Sequence, residues 1–123
     1  MRTWLVIAAL NGFLAVAAGA FAIHGLKGAL SAQDLQIFET GARYHMYHAL
    51  ALGISALAMR GAAAPRARIA ATLFLAGIVL FSGSLYLLEL TGVRALGVVT
   101  PFGGVAFMAG WLALALAAVK IDI

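Results

Sequence analysis

TWLVIAALNGFLAVAAGAFAI, residues 3–23, is a run of 21 residues without a charge, bounded by Arg2 and His24. At 1.5 Å per residue a helix over it is about 30 Å long, the thickness of a bilayer's hydrocarbon core. The pattern returns along the chain. Ile69–Leu88 (20 residues) lies between Arg68 and Glu89, and Ala95–Val119 (25) between Arg94 and Lys120. Tyr44–Met59, 16 residues between Arg43 and Arg60, would reach only about 24 Å as a helix. Its helix must begin earlier. Ser31-Ala-Gln-Asp34 has the form of a capping box, followed by Leu35 and Phe38 at helical spacing. One helix is therefore expected over Ala32–Met59, with Glu39 and Arg43 placed to pair on one face.

The fold class that follows is an all-α integral membrane protein. Four transmembrane helices, at about 3–23, 32–59, 69–89 and 98–119, form a tight bundle within a single domain of residues 1–123. An interfacial helical segment leads into helix two. Ala18-Gly19-Ala20 has the composition of a signal-cleavage site, but the apolar run exceeds a signal peptide's usual 7–15 residues and only Arg2 precedes it. Helix one is therefore read as uncleaved.

Composition agrees. The chain is 65% hydrophobic and 10% charged, with a mean hydropathy of +1.08. Soluble domains are nearer half apolar and a quarter charged. The absence of cysteine excludes disulfides, thiolate metal sites and cysteine nucleophiles. The formal charge of +4 is scattered between apolar blocks, which suits membrane lipids and topology control rather than nucleic acid. Arg2, Arg60, Arg66, Arg68 and Lys120 share one side of a four-span arrangement; Lys27, Arg43 and Arg94 share the other with three acids. The positive-inside rule then puts both termini in the cytoplasm of a multi-pass inner-membrane protein.

That topology gathers the polar residues at the outer end. His24 closes helix one, Tyr44, His45 and His48 open helix two, Tyr86 and Glu89 close helix three, and Thr100 opens helix four. These residues are expected to converge as a ligand-binding polar cluster. At about 100° per residue, Gly41, Tyr44, His45, His48, Leu52 and Ser55 fall on one face of helix two. Two readings of His48 stand side by side: a hydrogen-bonding brace within the bundle, or an intramembrane functional group. Tyr44 and Tyr47 read more simply as interfacial belt residues. Three histidines and a glutamate are suitable metal-ligand types, but His45-x-x-His48 is a loose spacing whose third ligand must come from another helix. No metal, cofactor or catalytic residue is assigned.

Small residues supply the expected packing surfaces: Gly12 and Gly19 in helix one, Gly77 and Gly83 in helix three, and Gly103, Gly104 and Gly110 in helix four. Asn11, inside helix one, should hydrogen-bond across helices.

The stretches GAFAIHGL (19–26), YHMYHALAL (44–52), LFSGSLYLLELTG (80–92) and LGVVTPFGGVAFMAGWLAL (96–114) carry a resemblance. In this order they resemble the family called domain of unknown function 423, or DUF423, small four-helix bacterial inner-membrane proteins with mitochondrial relatives. The family pattern falls on His24, Tyr44, Tyr47, His48, Ser82, Gly83, Tyr86, Thr100, Pro101, Gly103, Gly104 and Trp111. His45 departs from it, standing where the family usually has glutamine, and Glu89 occupies a variable place. The resemblance implies fold and location, and no activity.

Function is therefore expected to be that of a non-enzymatic structural or accessory membrane component. Such a chain would work as a homo-oligomer or as a subunit of a larger membrane complex. The alternative is small-solute, proton or lipid-headgroup handling at the outer cluster around His48.

Overall fold

The computed structural model describes residues 1–122; Ile123, the last residue of the expected 1–123 domain, lies outside the described residues. Four helical rods run along the chain. The first is α1 (Arg2–Phe21), continued by a π-helical turn at Ala22–Leu26. The second is α2 (Ala32–Leu57). A short 3-10 turn at Gly61–Ala63 opens the third rod, which comprises α3 (Ala64–Gly77), a π-helical segment (Ile78–Gly83) and α4 (Ser84–Thr91). A 3-10 turn at Arg94–Val98 leads into α5 (Thr100–Ala118).

The cap expected at Ser31 forms, and two further local signals act beside it. Ser31, in extended backbone, accepts a hydrogen bond from the Asp34 amide at 3.1 Å, satisfying one of the free donors at the start of α2. Gly92 ends α4 in the left-handed region at φ 72°, a conformation that glycine adopts without Cβ strain. The third rod begins well before Ile69, because the Arg66 and Arg68 stretch is already helical behind Pro65. Proline fits that first turn, where its missing N–H has no partner to lose.

Three rods, Arg2–Leu26, Gly61–Thr91 and Arg94–Ala118, are long and apolar enough to cross a membrane. The second rod is not among them, because even its more apolar half carries Arg43 and the polar Tyr44, His45, Tyr47 and His48. It is instead the central element. α1 packs on one side of α2, and the third rod packs on the other. α5 packs on α3 and the π-helical segment.

The side-chain distribution is inverted relative to a soluble bundle. The core is built largely from alanine (Ala51, Ala63, Ala67, Ala70 and Ala71 are fully covered) around Leu52 and Phe74. Large apolar residues face outward: Phe13 is 70% exposed, Leu112 69% and Phe102 66%. Lipid gives no reason to bury a large side chain, so the helices associate through small residues and close packing.

Candidate functional site

The two histidines of α2 are buried, at 4% exposure for His45 and 5% for His48, yet they face different neighbours. They stand three residues apart, which turns the second about 60° from the first. That rotation puts His45 between α1 and α4, and His48 against α3 and α5.

His45 links three helices. Its Nδ1 lies 2.9 Å from the Tyr86 hydroxyl, and its Nε2 lies 2.9 Å from Asn11 Oδ1. Asn11 also donates from Nδ2 to the Ile7 carbonyl at 2.9 Å. The directions follow from what each atom can do. The Ile7 carbonyl needs a donor, so the Asn11 amide is oriented and its oxygen must accept. His45 therefore donates through Nε2–H, and in the neutral ring Nδ1 accepts the Tyr86 O–H. Gly41 makes this possible: a Cβ there would come within 3.1 Å of the Tyr86 ring.

His48 takes the opposite tautomer. Its Nδ1 is 2.7 Å from the Tyr44 carbonyl, an acceptor, so Nδ1 carries the proton. Nε2 is left to accept from the Trp111 indole N–H at 3.2 Å. The ring stacks on Phe107 with centroids 3.5 Å apart and planes 8° apart. Phe74 closes a further side at 5.7 Å.

Of the remaining members of the expected cluster, Tyr44 meets His48 through its carbonyl and its ring, whereas His24, Glu89 and Thr100 are not brought to either histidine. His24 is exposed on the π-helical turn that ends the first rod. The Thr100 and Ser84 hydroxyls share a hydrogen bond at 2.6 Å, with the Phe81 carbonyl 2.9 Å from Ser84 and the Leu96 carbonyl 3.5 Å from Thr100 as acceptors for the other proton. Glu89 lines a polar hollow with Gln33, Asp34 and Arg94. Tyr44 is 38% exposed, its ring stacked toward His48 with centroids 6.1 Å apart and tilted against Tyr47 and Phe81. The single convergent cluster read from the sequence is thus two separate braces plus surface residues. It breaks up because short connections bring rod ends together without turning their side chains toward a common point. Among the described residues no three His, Cys, Asp or Glu side chains are grouped as a metal would require.

The glycines also divide. A Cβ on Gly103 would collide with the Phe81 amide nitrogen and lie 2.7 Å from Phe81 Cβ; on Gly110 it would lie 2.8 Å from the Phe74 ring. Gly77 likewise accommodates Phe107. Gly12, Gly19 and Gly104 have nothing within 4 Å of that position, and Gly83 meets only a carbonyl at 3.8 Å. These four are not close-approach points within the chain.

Sequence reasoning did not anticipate Phe107 or Ser84 as partners, and it marked Trp111 only through the resemblance. The available signal was spacing: Gly103, Phe107 and Gly110 recur at four- and three-residue intervals along α5, and Trp111 lies four residues after Phe107. Ser82, in the π-helical segment, is fully buried, and among the described residues its hydroxyl is the one buried side-chain polar atom without a partner.

An all-helical chain with alanine inside, large apolar residues outside and buried histidine braces has the physics of a small helical membrane protein. The chain belongs to the family described as "Protein of unknown function (DUF423)", whose model matches residues 18–104. It is 47% identical over 121 residues to the UPF0382 membrane protein YwdK of Bacillus subtilis (strain 168), covering 98% of each chain. A UPF0382 membrane protein of Staphylococcus epidermidis is 45% identical over 120 residues, again covering 98% of each. One from Haemophilus influenzae is 42% identical over 118 residues, covering 95% of this chain and 94% of that relative. No solved structure matches.

Proposed function

We propose that this membrane protein is a non-enzymatic structural or accessory component of the bacterial inner membrane, acting as a homo-oligomer or within a larger membrane complex. The observation that carries the reading is the state of the two histidines. Both rings have both nitrogens bonded inside the chain, in opposite neutral tautomers. A general base or metal ligand needs a free lone pair directed at its substrate or ion. Here each lone pair accepts a hydrogen bond from a neighbouring helix, as a brace does.

In this reading all four rods cross the bilayer. α2 is sheltered between α1 and the third rod, so it needs less apolar surface of its own. Arg60 and Lys120 line one hollow at a common end, and the basic residues of that end favour the cytoplasm under the positive-inside rule. The chain has no cysteine, so single cysteines can report topology directly. Ala62→Cys should react with an impermeant maleimide only after the cytoplasmic face is opened, and Ser31→Cys should react from outside. Equal labelling of both from outside would overturn the orientation.

The functional reading is tested by gentle extraction and native mass spectrometry. A homo-oligomer or a larger complex, without a metal or polar solute, is the expected result. A metal or solute that is retained by the native protein and lost in His48→Gln would overturn it.

A further inference from the structure

A groove of about 770 Å³ runs between α1 and the third rod, with Leu96 and Val99 of the turn before α5 also in its lining. Leu14, Ala17 and Phe21 form one wall, Val79, Gly83 and Leu87 the other, and Phe38 and His45 form part of the floor. We propose that this groove holds an acyl chain of a membrane glycerophospholipid as a retained ligand, distinct from the lipid that merely surrounds the protein. The inference rests on the membrane-spanning reading above and adds a ligand to it.

Depth is the first argument. The lining along α1 extends from Phe21 to Asn11, which is about 15 Å at 1.5 Å per residue. The hydrocarbon core is about 30 Å thick, so the groove is one leaflet deep. One leaflet is the reach of one lipid chain. The deep end is closed by the Asn11–His45 link.

Chemistry is the second. The polar groups in the lining are already occupied: Asn11, His45 and Tyr86 bond one another, and Ser84 bonds Thr100 and the Phe81 carbonyl. Beyond the second Asn11 N–H and the Tyr86 oxygen's lone pairs, these side chains offer an occupant little to bond. A hydrocarbon chain needs none.

The charge at the shallow end is the third. The shallow end selects the source of the chain. Lys27, exposed, follows the last turn of the first rod, whereas the exposed Arg94 shares its hollow with Asp34 and Glu89. The Lys27 ammonium at headgroup level suits a lipid phosphate.

The full chain would be reconstituted in phosphatidylglycerol–phosphatidylethanolamine nanodiscs. These would carry a phospholipid with a diazirine midway along one chain, and adducts would be located by peptide mass spectrometry. Adducts should concentrate on Leu14, Ala17, Val79 and Leu87 over the exposed Val105, Leu112 and Leu116, by about tenfold. Ala17→Trp, which fills the groove from an exposed position, should remove that excess while labelling of Leu112 persists. Leu14→Trp is an independent block should the first variant misassemble. Even labelling of all exposed faces would leave only surrounding lipid and overturn the proposal. Cross-links joining two copies through the groove would overturn it in favour of a second chain. Groove labelling by a diazirine fatty acid but not by the phospholipid would overturn the assigned source. If alkaline extraction releases the chain, the membrane-spanning reading itself fails, and the proposal with it.

Discussion

His48→Ala should destabilise the folded protein by about 2–4 kcal/mol, measured by denaturing-detergent titration in mixed micelles. Two kinds of contact contribute. Interhelical hydrogen bonds in membranes average roughly 0.6 kcal/mol and reach about 1.7, so the Trp111–His48 bond alone does not supply it. The larger share is packing: the ring lies flat on Phe107 and beside Phe74, and truncation leaves a void between three helices. In lipid the usual transfer term is absent, because the bilayer is as apolar as the core, and this keeps the cost below that of a soluble protein. His24→Ala, at an exposed position, should change stability by no more than about 0.5 kcal/mol. Equal effects of the two substitutions would show that His48 does not brace the helices.

Gly103→Ala should cost about 1–3 kcal/mol, whereas Gly104→Ala, one residue on, should be neutral or stabilising by up to about 1 kcal/mol. Both glycines lie in the same helix, so the intrinsic preference for alanine is the same and favourable. The environment decides the sign. At Gly103 the new methyl meets the backbone of Phe81 and lies 2.8 Å from the Leu80 carbonyl carbon. Backbone within a helical rod cannot swing aside, so α5 must move away from the π-helical segment. At Gly104 the methyl meets nothing within 4 Å. Gly110→Ala should fall between them, because its obstacle is the Phe74 side chain, but that ring is fully buried and has little room to turn. The same detergent titration ranks the three, and a Gly104 variant as damaging as the Gly103 variant would contradict this packing.

The comparison of these glycines shows where sequence reading stops. All three sit in one apolar helix with similar neighbours, and a stripe of small residues looks the same whether another helix touches it or not. The positions that matter are set by where Phe74, Phe81 and Phe107 reach, and that depends on helix rotation and axial offset.

The histidines teach the same lesson more finely. The helical period of α2 put Gly41, His45, His48, Leu52 and Ser55 on one face, and all five are buried. Tyr44, at the margin of that arc, is half out. Asn11 was legible too, since an amide in an apolar helix must find a partner and His45 is that partner. A rotation of about 60° between neighbouring turns is too small for the pattern to assign two residues to different partners. It is nevertheless enough to place His45 against Asn11 and Tyr86, and His48 against Phe107 and Trp111.

The sequence by itself determined the four apolar segments, the capped start of α2, the buried face of that helix and the family. Each depends on one-dimensional information: the spacing of charges, a local hydrogen bond, or a period of 3.6 residues. Only the tertiary structure decided that the polar cluster divides into two braces, that Gly103 rather than Gly104 is the contact, and that α1 stands off from the third rod to leave a groove. These depend on how rods are rotated and offset against one another. That geometry is fixed by the mutual fit of side chains far apart in the chain, which no local pattern encodes.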